Sequence, residues 1–160
     1  MTDPQQFESN LSHQIRLACL LEATARKAGN VHPGVEFEHL RYADFVASAE
    51  AIAPVLAESQ RLGVGPAILE AVRATRECCD QNTNLGIILL LAPLCAIPAE
   101  TTIADGIEDV LAALTHEDAA AVYEAIRLAN PRGLGASDEQ DVASEQPSGA
   151  LREVMSLAAD

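Results

Sequence analysis

At 160 residues the chain is long enough for one domain with a real core. Its 24 acidic against 10 basic side chains give a net charge of −14, a surface that repels phosphate backbones and excludes non-specific nucleic-acid binding. Apolar residues make up 49% but aromatics only 3%, so Ala and Leu supply the bulk, which suits close-packed helices better than β-sheet.

A first helix is predicted from about Phe7 to Lys27, where Phe7, Leu11, Ile15, Ala18, Leu21 and Ala25 recur at three- and four-residue steps. Gly29 and Pro33-Gly34 break the chain into a loop from Ala28 to Val35. A second helix spans roughly Glu38 to Leu62, with Phe45, Ala49, Ile52 and Leu56 inward and Pro54 expected to kink it. Gly63 and Gly65 stop that helix, and Pro66 opens a third, running to about Cys79 with Ile68, Leu69 and Val72 buried. After the polar break Asp80–Asn84 comes an apolar helix, Leu85–Ile97. Having no polar face, it belongs at the centre of a bundle. Thr102 and Thr115 cap two further helices, Ile103–Leu114 and His116–Ala129, the second closed by Asn130-Pro131. An acidic, glycine-containing loop follows, and a last helix starts at Leu151, where Leu151, Val154, Met155 and Ala158 form a stripe that invites self-association.

The expected fold class is therefore all-α, a multi-helix bundle over residues 1–160 as one domain. The apolar run Leu85–Pro98 is shorter than the ~20 residues that cross a bilayer. The N-terminus lacks a basic region followed by an apolar stretch. Cys19, Cys78, Cys79 and Cys95 lack metal-site spacing and read as reduced thiols. The expected setting is the cytoplasm, without a membrane partner.

Three polar islands interrupt the helical pattern. Arg26–Gly34 holds the chain's sole lysine, Lys27, next to Gly29; it suits a phosphate anchor, or simply basic residues favoured at a helix C-terminus. Asn82-Thr83-Asn84-Leu85-Gly86 stands at a helix N-terminus, a natural anion site, though Asn and Thr are also good caps. Gly133–Val142 gathers Asp138, Glu139 and Asp141 on a loop, which suits Mg²⁺ or general-base work, or plain solvation.

Taken in this order, the islands resemble the triphosphoribosyl-dephospho-CoA synthase family. Lys27-Ala28-Gly29-Asn30-Val31 is similar to its Lys-Pro-Gly-Leu-Val segment, and Asp44–Ile52 to its Asp-Phe…Ser-Ala…Ala-Ile helix. Asn82-Thr83-Asn84-Leu85-Gly86 resembles its Asn-Thr-His-Lys-Gly motif, again before a long apolar helix. Asn84-Leu85 replaces the family's His-Lys pair, and His39 stands near a usual Asp.

The resemblance implies a transferase that joins ATP to dephospho-CoA: the acceptor's 2′-hydroxyl attacks the anomeric carbon of ATP's ribose and adenine leaves. It implies nucleotide contacts from Lys27, Gly29, Asn82, Thr83 and Gly86, a base or metal carboxylate in Asp141 or Glu139, ATP as substrate and Mg²⁺ as its companion. The partners are then small nucleotides. Two other readings stay open, a related transferase of a pterin-type cofactor pathway and a non-catalytic helical interaction module. The chain also looks like the front part of a longer family member.

Overall fold

The computed structural model describes residues 4–131, 141–142 and 147–156, and among them the regular structure is eight helices and no strand. The helices are α1 (Pro4–Thr24), α2 (Tyr42–Ala57), α3 (Ser59–Leu62), α4 (Val64–Cys78), α5 (Leu85–Cys95), α6 (Ile103–Ala112), α7 (His116–Ala129) and α8 (Leu151–Ser156). The all-α expectation holds. No helix among the described residues is long and apolar enough to cross a membrane.

The core is a row in which α1 packs on α2, α2 on α4 and α4 on α7, and α5 touches α4, α2, α6, α3 and α1. The inward residues expected of α2 are where they should be: Phe45, Ala49, Ile52 and Leu56 are all buried. In α1 the buried ridge is Ile15, Cys19 and Ala23, a strict four-residue step, while Leu21 is 62% exposed. The predicted stripe through Ala18 and Leu21 therefore drifted off the contact face, because close packing follows i, i+4 ridges.

The second helix starts later than predicted. Residues 32–40 form two tight turns, each closed by reciprocal backbone bonds, His32 with Val35 and Phe37 with Leu40. Carboxylates then satisfy the first amides of α2: Arg41 N–H donates to Asp44 Oδ2 at 2.8 Å and Tyr42 N–H to Glu36 Oε1 at 3.1 Å. At the far end α2 runs past Pro54 to Ala57, and Glu58 separates it from α3.

Both threonine caps form. Thr102 Oγ1 accepts from Asp105 N–H, and Thr115 shares a reciprocal capping box with Asp118. Asn130, in the left-handed region at φ 46°, closes α7. The terminal stripe is less open than expected: Leu151 and Val154 are buried, Met155 is 45% exposed, and Ala158 lies outside the described residues. Nor is α5 wrapped on all sides. Leu85, Ile88, Ala92 and Cys95 are buried, but Leu90 is 65% exposed.

Candidate functional site

The site grows from the break between α4 and α5. Thr83 Oγ1 donates to Ser48 Oγ at 2.8 Å, and Ser48 Oγ in turn donates to the Phe45 carbonyl. Phe45 packs with Val31 and Ala23 in a small apolar cluster that Leu40 and Tyr42 cover. The segments Lys27–Val31, Asp44–Ile52 and Asn82–Gly86 are thus tied together through the first turns of α2. Sequence alone set them in order; the fold makes them neighbours.

Asn82 is committed partly to structure, since its Oδ1 accepts from Leu85 N–H at 3.2 Å and so satisfies the first amide of α5. Asn84 is 6% exposed. Its Oδ1 accepts from Thr75 Oγ1 at 3.2 Å, and its Nδ2 has no hydrogen-bond partner among the described residues. A buried amide donor without a partner costs free energy of about 1–3 kcal/mol, so its persistence points to a group that satisfies it. Asn84 and Arg76 both line a small pocket under the first turn of α5. The amides of Gly86 and Ile87 have no intrahelical acceptor, by the geometry of a helix start. Gly86 is exposed, and a Cβ placed on it would meet nothing within 4 Å. Leu85 is in the main core, so packing occupies the position where the resemblance suggests a cation.

Next to this helix start opens a cleft of about 690 Å³, within the usual range for small-ligand sites. Its walls come from the Phe37–Leu40 turn, from Arg76 and Asp80–Asn82 at the end of α4, and from Asn130 after α7. Arg76 donates to the Asp80 carbonyl and has no ion pair among the described residues, so its charge is available in the cleft. Arg76, Asn84 and Phe37 were not singled out from sequence as ligand residues. The signal for Arg76 was its place six residues before Asn82 in a chain with few bases.

The other expected residues are placed as follows. Lys27 is half exposed, pairs with Glu22 of α1 and does not line the cleft. Gly29 has φ 74°, a left-handed conformation that gives its glycine a backbone reason. Asp141 stands near the buried Tyr123 and helps raise that phenol's pKa, after the larger effect of burial; it does not line the cleft. Glu139 lies outside the described residues. Three thiols are not poised as nucleophiles: burial pushes Cys19 and Cys95 up to about 11, and partial burial followed by the neighbouring Cys79 does the same for Cys78.

Fold and site together define an acidic, all-α protein with a polar cleft built around the entrance of an apolar helix. The family model for ATP:dephospho-CoA triphosphoribosyl transferase (CitG) matches residues 8–160, and the chain belongs to that family. It is a family of transferases for which ATP is a substrate. Comparison with curated proteins and with solved structures gave no significant match.

Proposed function

We propose that this chain carries the family's triphosphoribosyl transfer, moving the triphosphoribosyl group of ATP onto dephospho-CoA or a related cofactor precursor. The C1′–N9 bond of ATP breaks, adenine departs, and the acceptor's hydroxyl oxygen forms the new bond to C1′ while losing its proton. What supports the reading is the head of α5. There an unpartnered buried amide of Asn84, the free N–H groups of the first turn and Arg76, which has no carboxylate partner among the described residues, gather beside a nucleotide-sized cleft.

In this reading Arg76 and the α5 amides take the phosphates, with Asn82 and Thr83 fixing the turn that presents them. Lys27 joins by leaving Glu22, an exposed pair that holds it only weakly. Mg²⁺ would accompany the triphosphate, neutralising its charge. It needs few protein ligands beyond one or two carboxylates, and Glu38 and Asp80 line the cleft. The base for the acceptor hydroxyl is assigned to Asp141 or Glu139 on the family pattern alone.

The test is direct. Incubated with ATP, Mg²⁺ and dephospho-CoA, the protein should release free adenine in step with a product heavier than dephospho-CoA by the triphosphoribosyl group. Release of ADP instead of adenine, or no turnover despite ATP binding, would remove the assignment. The second outcome would favour the non-catalytic helical module.

A further inference from the structure

Five aromatic side chains, three Phe and two Tyr, occur in the whole chain. Phe45 and Tyr123 are buried, and Phe7 and Tyr42 are half-buried. Phe37 alone among them is exposed, at 48%, and it lines the cleft. An exposed Phe by itself means little. This one sits on a pinned backbone turn. Its N–H donates to the Leu40 carbonyl at 3.0 Å, Leu40 N–H returns a bond to its carbonyl at 3.3 Å, and Leu40 is anchored in the Val31–Phe45 cluster. The turn thus fixes a bare aromatic face at the wall of a polar cavity.

The company it keeps narrows what that face is for. Gln81 and Asn130, from two other elements, line the same cleft, and neither carboxamide has a hydrogen-bond partner among the described residues. A carboxamide offers a donor and an acceptor side by side, the complement of the amino and ring nitrogens along an adenine edge. Arg76 and Asn82 belong both to this cleft and to the pocket at the head of α5. A nucleotide with its phosphates at α5 would cross Asn82 and bring its base to Phe37.

We infer that Phe37 is the stacking platform for the adenine of ATP, with Gln81 and Asn130 reading the edge of the base. The inference rests on the nucleotide reading of the cleft and extends it to the group that the reaction expels. An aromatic face suits that task because stacking on a flat base does not depend on the C1′–N9 bond and holds the ring in place as that bond breaks.

The experiment uses the absence of tryptophan from this chain. Phe37→Trp creates a single emitter at the proposed platform, and ATP with Mg²⁺ should quench or shift its fluorescence with the Kd found by calorimetry. Phe37→Ala and Phe37→Leu should each raise the Kd for ATP about 5- to 150-fold, the range for loss of one base–aromatic stack, at an unchanged Tm. Phe37→Tyr should keep the wild-type affinity. Equal affinity of Phe37→Leu and wild type, or fluorescence of the Phe37→Trp variant that is indifferent to bound ATP, overturns the platform while leaving the nucleotide site standing. If the wild-type protein binds no ATP at all, the platform and the proposed function both fall.

Discussion

At the scale of single residues, Gly86 separates what the fold needs from what a ligand needs. Its backbone is not in the left-handed region, its surroundings are open, and it lies in the first turn of α5. Gly86→Ala should therefore leave stability unchanged or raise it by up to ~1 kcal/mol, the helix propensity difference. If phosphate approaches the α5 amides, the added methyl should weaken ATP binding even as Tm rises. Lys27 offers the matching contrast. Its pair with Glu22 is exposed, so Lys27→Ala should cost the fold no more than ~1 kcal/mol. It should cost ATP binding about 1.5–3 kcal/mol if the ammonium swings to phosphate. Calorimetry beside thermal melts reads both, and an ATP affinity untouched by either change would take phosphate away from this corner.

At the scale of elements, the joints that sequence conceals are those whose two halves lie far apart in the chain. The capping box of Thr115 with Asp118 is legible because cap and acid are three residues apart. What Asp118 does with its other oxygen is not. Gly65 N–H, 53 residues away, donates to Asp118 Oδ1 at 2.8 Å, so an acid on α7 also satisfies the first turn of α4. Gly65 reads from sequence as a helix stop, yet it lies inside α4 and its glycine answers to close approach: a Cβ there would come within 2.5 Å of the Asp118 backbone. Gly65→Ala should destabilise by about 1–3 kcal/mol through overpacking. Asp118→Ala should cost a similar amount by orphaning the amides of Gly65 and Thr115. Because both act on one joint, the double variant should lose less than the sum in urea unfolding. Strict additivity would mean that the two helices are not coupled there. The Phe37–Leu40 turn escaped for a related reason: its bonds are backbone to backbone, and composition around Glu38 gives no sign of it.

At the scale of the whole molecule, the order of helices and most of the inward faces were legible because Ala and Leu periodicity records burial. The partner of each face was not, and α5 shows the consequence. Its run Leu85–Leu91 carries no polar residue, so periodicity cannot say which side is inward, and a central position is the natural expectation. In the fold α5 touches α1, α2, α3, α4 and α6 and buries Leu85, Ile88, Ala92 and Cys95, while Leu90 keeps one side open. Two leucine-sized residues of one helix should then behave in opposite ways. Ile88 is fully buried, so Ile88→Ala removes three methyl-sized groups from a packed site and should cost about 2–5 kcal/mol. Leu90 is 65% exposed, so Leu90→Gln should change stability by no more than ~0.5 kcal/mol and should improve solubility. A helix wrapped on every side would instead lose several kcal/mol at both positions, since burying an unpaired carboxamide is itself costly. Urea unfolding of the two variants decides between the arrangements: a large loss at Ile88 with none at Leu90 fits an α5 with one side open, and comparable losses would mean a helix covered all round.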